Sequence, residues 1–215
     1  MTALPSVASL FALLWFGAAP SPPAGVETVR LEPKTRPAVY ASPGGRRVDR
    51  LADHTPYGSE TRLWVRERRG TWLKVAALNA PGGAGWIAER HTLPAPRLLR
   101  RIEIDRSARR LTVINGAQRW STRVIVGGAA SPTPLGSFQV TDRLPGERFH
   151  GTYGKWIFAL SAYGTAARTS RLAVHGYPPA ARSRLWSAGC VRLPGAALRR
   201  LAREVPPGTP VRIRA

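Results

Sequence analysis

The sequence predicts a mainly β fold, built from two consecutive units and one short helix. Short apolar stretches alternate with turn residues along most of the chain, which is typical of small sheets. The dipeptide Asn115-Gly116 separates two such stretches and is the strongest short-range signal of a β-hairpin. Helical periodicity is convincing only over residues 195–204.

Residues 1–25 are predicted to be a signal peptide. Their apolar run, 7–19, has thirteen residues, whereas a helix that spans a bilayer needs ~20. That length matches the apolar region of a signal peptide, and prolines follow it within 20–23. No Lys or Arg precedes the run, so a retained membrane anchor is the alternative. We expect an exported protein in both cases.

Residues 27–93 are predicted to form a small β-barrel. Apolar stretches of three to five residues recur between turn residues along this segment. Residues 64–66 and 72–75 are expected to be strands joined by a turn over 68–70, which contains the glycine that such a turn needs. The short, stiff sequence Pro-Ala-Pro then opens a linker over residues 94–99.

Residues 100–214 are predicted to form a second, larger β unit. The helix over 195–204 places Leu198, Leu201 and Ala202 on one face and arginines on the other. The prolines at 206–207 end it. The expected strands are 101–105, 111–114, 120–126, 137–140, 156–160, 172–174 and 211–213.

The chain is strongly basic, with a formal net charge of +21 that comes almost entirely from arginine. Such chains often bind nucleic acid. We expect no nucleic-acid partner here, because the sequence has no zinc-finger spacing and no basic helix long enough to enter a groove. For an exported protein the matching partner is an anionic polymer of the cell wall or the membrane surface, and the arginine usage of a GC-rich genome is the alternative explanation.

Cys190 is the only cysteine, so it has no partner for an internal disulfide. Lone cysteines are often small buried hydrophobes. Here Gly189 precedes the thiol, and Ser187 and Arg192 add polar groups that an apolar core site would lack. His175 lies fifteen residues upstream and supplies a base that can convert the thiol to a thiolate. The pair predicts a cysteine nucleophile.

Other hydrolytic chemistries find little support in the sequence. After residue 105 the carboxylates are Asp142, Glu147 and Glu204, and nothing around the first two indicates the flanking pair that a glycosidase needs. No His-Glu-x-x-His or similar ligand spacing indicates zinc. No Ser-x-x-Lys motif indicates a serine acyltransferase. We therefore expect neither a metal nor another cofactor.

His175-Gly176, followed by Ser-x-Gly-Cys-Val-Arg at 187–192, resembles the signature of the L,D-transpeptidases, the YkuD-type cysteine enzymes of bacterial cell walls. Segment 131–138, Ser-Pro-Thr-Pro-Leu-Gly-Ser-Phe, resembles the Thr-Pro-x-Gly-x-Phe segment of that family. The resemblance covers residues 100–214. Many members have histidine where this chain has Ala188, which we interpret as a change in pocket lining that leaves His175 as the candidate base.

This resemblance implies a YkuD-like β-sandwich that acts on peptidoglycan peptide stems. Cys190 would attack a tetrapeptide stem after its third residue and release D-alanine, and an amine of a second stem would resolve the thioester. The backbone carbonyl of Gly176 would orient His175, and the N–H groups of Gly189 and Cys190 would bind the oxyanion. Ser187 and Arg192 would contact substrate or support the loop.

Two other functions remain compatible with the sequence. Water in place of the amine would make the protein an L,D-carboxypeptidase on the same scaffold. Alternatively, the N-terminal unit carries the function in a non-catalytic wall-binding protein. That unit resembles a bacterial SH3 domain, whose Gly-Trp-Val/Ile strand is matched by Gly-Ala-Gly-Trp-Ile at 83–87.

Overall fold

The computed structural model describes residues 25–77, 80–149, 153–161, 172–177 and 186–215. Within these ranges the chain forms sixteen strands and one α-helix, so the predicted mainly β class is confirmed. The expected signal peptide lies outside the described residues, apart from its last residue. No helix in the described part of the chain is long and apolar enough to cross a membrane.

The N-terminal half contains eight short strands in two sheets. One sheet has the order β4-β1-β8 and the other β3-β2-β7-β6-β5. The strands are β1 (Val26–Leu31), β2 (Ala38–Tyr40), β3 (Arg47–Arg50), β4 (Arg62–Trp64), β5 (Glu67–Arg69), β6 (Trp72–Ala76), β7 (Ala84–Ala88) and β8 (Thr92–Leu98).

These two sheets enclose one apolar cluster. Val29, Leu63 and Leu73 are among its buried residues, and around Leu63 and Leu73 buried positions alternate with less buried ones. The predicted hairpin at its centre is displaced along the chain. The strand that pairs with β6 is β5 rather than residues 64–66, because the left-handed residue of the turn, Gly70 (φ 52°), lies after β5.

The expected linker, residues 94–99, lies mostly within β8. This strand pairs antiparallel with β1, and the Thr28 hydroxyl donates a hydrogen bond of 2.8 Å to the Pro96 carbonyl. The prolines are tolerated because β8 is an edge strand of its sheet. The two halves of the chain are therefore joined by a paired strand.

The C-terminal half forms one eight-stranded sheet with the order β11-β10-β9-β16-β12-β13-β14-β15. Its helix, α1 (Gly195–Glu204), has the predicted bounds and the predicted buried face. The strands are β9 (Arg100–Asp105), β10 (Arg110–Asn115), β11 (Gln118–Arg123), β12 (Gly136–Pro145), β13 (Trp156–Leu160), β14 (Ala173–Gly176), β15 (Val191–Leu193) and β16 (Pro210–Arg214).

The eight-stranded sheet folds over so that its two ends meet. Ile125, just after edge strand β11, exchanges two backbone hydrogen bonds with Arg192 in the other edge strand, at 3.0 and 2.8 Å. Residues from strands near both edges, including Val113 and Val191, share one buried cluster with α1. This closed core occupies the inner face of the sheet.

A β-bulge in β12 brings new side chains to the outer face. Val140 pairs with Leu160, whereas Asp142 pairs with Ala159, so Thr141 is the extra residue. Val140 belongs to the inner core, while Leu144 beyond the bulge belongs to a separate cluster. The outer face of β12 to β15 carries the candidate site.

Candidate active site

The parallel strands β14 and β15 bring the predicted catalytic residues together. His175 lies opposite Arg192 in their register, and Val174 lies opposite Val191. Both valines point into the inner core. Because side chains alternate along a strand, His175 and Arg192 point to the outer face. Cys190 directly precedes β15 and lies two residues before Arg192. By the same alternation it points to the outer face, where it lies beside Ala173.

Small and apolar residues form the floor around this pair. The cross-strand partners Leu144, Ile157 and His175 lie in one row that continues to Arg192. The adjacent row contains the short side chain of Ala173 next to Cys190, and the thiol packs on the cluster formed by Leu144, Ile157 and Ala173. Phe149 also packs against this cluster, so the nucleophile lies on a small apolar patch of the outer face.

The His175 imidazole is fixed in position. Only 2% of the residue is exposed, and Nδ1 lies 2.7 Å from the Gly176 carbonyl oxygen. An Nδ1–H that donates to this carbonyl leaves Nε2 as the basic nitrogen. Burial lowers the pKa of His175 to about 4; the Gly176 carbonyl opposes this shift, and the positive charge of Arg192 adds to it. The imidazole is therefore neutral at neutral pH.

Burial also sets the state of the thiol. It raises the pKa of Cys190, while a backbone hydrogen bond with Ala173 and the charge of Arg192 act in the opposite direction. The resting site therefore holds a neutral thiol and a neutral imidazole. Such a pair transfers its proton during attack on a substrate, with histidine as the general base.

Ser187 holds the loop that precedes the thiol. Its hydroxyl donates a hydrogen bond to the Cys190 carbonyl and accepts one from the Gly189 N–H at 3.2 Å. Loop support, one of the two predicted roles, is what these contacts provide. The Gly189 N–H was expected to face an oxyanion, but in this structure it is engaged by Ser187. Gly189 itself adopts φ 106°, a conformation that favours glycine.

Thr133 is a residue of the site to which the sequence analysis gave no role. It is fully buried, and its hydroxyl donates to the Gly189 carbonyl at 2.8 Å while accepting from the Gly127 N–H at 2.8 Å. It thereby ties the segment after β11 to the loop that carries Cys190. The available signal was the Thr-Pro pair within segment 131–138.

The Arg192 guanidinium is poorly paired. Within the described part of the chain, Nε and Nη1 are buried and have no hydrogen-bond partner. A buried cation without partners is costly, and a carboxylate is the group that a guanidinium binds best. Of the two predicted roles, substrate contact fits this arrangement better than support of the loop.

A cavity of about 390 Å³ opens beside the histidine strand. Lys155 and Arg199 provide positive charge at its wall, and Tyr177 and the Gly176 backbone line it as well. Both cations are exposed side chains. The cavity therefore lies at the end of the histidine strand and carries positive charge at its wall.

The remaining candidates lie apart from this centre. Ala188, where many family members have histidine, is exposed next to the buried Ser187. Asp142 is fully buried and accepts a hydrogen bond from Thr55, whereas Glu147 is exposed, so these carboxylates do not form a facing pair. Among the described residues no group of three His, Cys, Asp or Glu side chains could hold a metal ion.

Comparison with solved structures gives distant similarities. The chain is similar to Bd1075 of Bdellovibrio bacteriovorus at 23% identity and a TM-score of 0.47, covering 54% of this chain and 48% of that one. It is similar to L,D-transpeptidase 3 of Mycobacterium tuberculosis at 17% identity and a TM-score of 0.45, covering 61% of this chain and 74% of that one. It is also similar to the helical cell shape determining protein Pgp2 of Campylobacter jejuni at 22% identity and a TM-score of 0.44, covering 54% of this chain and 47% of that one.

The chain thus spans about half the length of the Bd1075 structure. A search of curated proteins found no match. The family comparison is more informative, because residues 99–213 match the model of YkuD, the L,D-transpeptidase catalytic domain. Since this match covers more than half of the chain, the protein belongs to the YkuD family of L,D-transpeptidase catalytic domains.

Proposed function

We propose that the protein is a peptidoglycan L,D-transpeptidase that works through a thioester on Cys190. The observation that carries the proposal is the placement of His175 and Cys190 on one face of adjacent parallel strands, with the Gly176 carbonyl at the histidine Nδ1. Nε2 is then the nitrogen that can take the thiol proton. The Gly176 carbonyl orients the imidazole, which is the role of a carboxylate in the Ser-His-Asp triad.

The first step is attack on the donor stem. His175 Nε2 takes the proton of the Cys190 thiol as the sulfur forms a bond with the scissile carbonyl carbon. The carbonyl oxygen then becomes an oxyanion. Burial is the main cause of the low pKa of His175, and the charge of Arg192 adds to it; a donor carboxylate that pairs with Arg192 would offset the contribution of that charge.

Collapse of this intermediate releases the terminal residue. The backbone N–H of Cys190 is assigned as an oxyanion donor, and Gly189 would join it only by releasing the Ser187 hydroxyl. Protonated His175 gives its proton to the departing amine, the carbon–nitrogen bond breaks, and D-alanine leaves. The product is a thioester between Cys190 and the third residue of the stem.

The second step resolves the thioester. His175, neutral again, accepts a proton from the amine of a second stem as that amine attacks the thioester carbon. The carbon–sulfur bond breaks, and the thiolate recovers a proton from the imidazole. Attack by water would give a shortened stem instead, so the partition between crosslinking and hydrolysis depends on how well the acceptor amine excludes water.

The proposed setting is outside the cytoplasm, where YkuD-family enzymes act on peptide stems. Residues 1–25 would direct export, and the N-terminal half would serve as an SH3-like unit. We assign the excess of arginine to retention on anionic wall polymers. The exposed side chains of Arg199, Arg200 and Arg203 on one face of α1 are part of this basic surface.

Mass spectrometry of the exported form with a disaccharide-tetrapeptide tests this function, beside a Cys190→Ala control. We expect an adduct on Cys190 with loss of D-alanine, and a 3→3 dimer once more stem is added. An adduct that decays only to tripeptide would establish a carboxypeptidase. Absence of any adduct in the unmodified protein would reject the enzyme and favour a wall-binding protein.

A further inference from the structure

The N-terminal half packs on the same outer face of the sheet that carries the catalytic pair. The Gln139 side chain of β12 accepts a hydrogen bond from the Trp64 N–H at 2.8 Å and donates one to the Arg62 carbonyl at 2.6 Å. Further along the same strand, Asp142 accepts a hydrogen bond from Thr55. The N-terminal half therefore borders the candidate active site.

The contact nearest the site comes from the loop between β3 and β4, residues 51–61. Tyr57 of this loop packs against the apolar cluster of Leu144, Ile157 and Ala173. Cys190 packs against the same cluster. A side chain from the N-terminal half thus shares its packing partners with the nucleophile.

A continuous row of aromatic rings leads from this tyrosine to the catalytic histidine. The ring centroids of Tyr57 and Phe149 are 6.2 Å apart, and those of Phe149 and Tyr153 are also 6.2 Å apart. Tyr153 then meets the His175 imidazole at 4.9 Å. All three contacts are edge-to-face, with interplanar angles of 74°, 84° and 86°, the arrangement that aromatic pairs favour.

Thr55 fixes the position of Tyr57 in this row. Its hydroxyl accepts hydrogen bonds from the N–H groups of Tyr57 and Ser59, both at 3.2 Å, and donates to the buried Asp142. Its backbone N–H also donates to the Ser59 carbonyl at 2.8 Å. The loop is therefore closed on itself and attached to the sheet both by the Thr55–Asp142 hydrogen bond and by the packing of Tyr57.

We propose that Tyr57 is a positioning residue, which acts through Phe149 and Tyr153 to hold the His175 imidazole buried and correctly oriented. The N-terminal half is then part of the catalytic apparatus and not only a module for attachment. The inference rests on the proposed cysteine chemistry. The Tyr153 carbonyl accepts a hydrogen bond of 2.8 Å from the Gly176 N–H, so the last ring of the row is attached to the residue whose carbonyl holds His175 Nδ1.

The test compares Tyr57→Ala with Tyr57→Phe and with Tyr40→Ala. Tyr40 is a matched control, because it forms an edge-to-face pair with Trp72 at 5.3 Å in the same half of the chain, outside the row. For each protein we would measure single-turnover acylation of Cys190 by the tetrapeptide stem across pH, and the pKa of His175 by NMR. Thermal unfolding would report the loss of stability.

We expect Tyr57→Ala to slow acylation at saturating stem by about tenfold, because small displacements of a catalytic group are costly. Loss of burial should raise the pKa of His175 from about 4 toward 6.5, which moves the acid limb of the rate profile to higher pH. Tyr57→Phe keeps the ring and should stay within about twofold of the unmodified protein, as should Tyr40→Ala.

Equal rates and equal His175 pKa values in the Tyr57→Ala and Tyr40→Ala proteins would overturn the proposal. So would a Tyr57→Phe protein as slow as Tyr57→Ala, since the ring would then not be the active element. If Tyr57→Ala fails to fold, Tyr57→Leu retains an apolar side chain without the ring and takes its place. Absence of a stem adduct in the unmodified protein would reject the proposed function, whereas the NMR measurement would still decide the role of Tyr57.

Discussion

The two faces of strands β13 to β15 differ in what they contribute. On the inner face, Phe158, Val174 and Val191 are fully buried in one large core. On the outer face, the neighbouring positions hold the buried His175 and Arg192, whose Nε and Nη1 are buried without a hydrogen-bond partner among the described residues. Residues that stabilise the core therefore alternate with residues of the candidate site along the same strands. Substitutions one residue apart should thus affect mainly stability or mainly activity.

The largest effect on the outer face is expected for His175→Gln. Loss of a general base typically reduces a rate by about 10²–10⁴-fold, and burial raises the pKa of the Cys190 thiol, so the thiol depends on a base near neutral pH. Single-turnover acylation by the stem should fall by this factor. Alkylation by iodoacetamide at high pH should persist, because hydroxide can then form the thiolate.

On the inner face, Phe158→Ala should act on stability. The ring is fully buried, and removal of a buried phenylalanine side chain typically costs about 3–5 kcal/mol. Urea unfolding should show this loss, while alkylation of Cys190 in the folded protein remains near its normal rate. If the alanine protein is too unstable to study, Phe158→Leu applies the same test with a smaller loss. A severe loss of thiol reactivity without destabilisation would contradict the separation of the two faces.

The outer face should also make stability depend on pH. The pKa of His175 is lowered from 6.5 to about 4 in the folded protein. Between these values the unfolded chain binds one proton more than the folded chain, so stability falls as pH falls. The free energy of unfolding falls by about 1.4 kcal/mol per pH unit in this range. The total contribution is roughly 3 kcal/mol, and it is fully lost near pH 4. Urea unfolding from pH 7 to 4.5 should show a flatter dependence for His175→Gln; equal slopes would contradict this assignment.

Arg192→Ala tests whether the outer face is incomplete without substrate. We expect acylation to fall by about a hundredfold, mainly through a higher KM, because a buried charge pair with the donor carboxylate is lost. Stability should not fall, since Nε and Nη1 have no hydrogen-bond partner among the described residues and the alanine removes a buried charge that is costly without partners. Arg192→Lys should restore only part of the rate, because an ammonium lacks the planar fork. A normal KM in the alanine protein would assign Arg192 to the loop.

Local sequence patterns predicted the inner face better than the outer one. The helix over 195–204 and the hairpin at Asn115-Gly116 follow from periodicity and turn chemistry, which act within a few residues. His175 and Cys190 were identified because their residue types and spacing carry chemical meaning on their own.

The rest of the outer face depends on contacts between distant parts of the chain. The bulge at Thr141, which turns the strand beyond it, changes the alternation that sequence analysis assumes. Tyr57 reaches Phe149 across ninety-two positions of sequence, and no local pattern encodes such an approach. The engagement of the Gly189 N–H by Ser187 likewise depends on the conformation of a loop that has no period.

The smallest expected effect on acylation is at Thr133, which connects the segment after β11 to the loop that carries Cys190. Thr133→Val keeps the shape but removes the hydroxyl, so that the Gly189 carbonyl and the Gly127 N–H both lose a partner. Unsatisfied buried groups cost about 1–3 kcal/mol, so urea unfolding should shift by that amount. Because Gly189 directly precedes the nucleophile, acylation should also fall by a few-fold. Thr133→Ser retains the hydroxyl and should recover the rate; equal rates in the valine and serine proteins would show that this hydroxyl supports the fold alone.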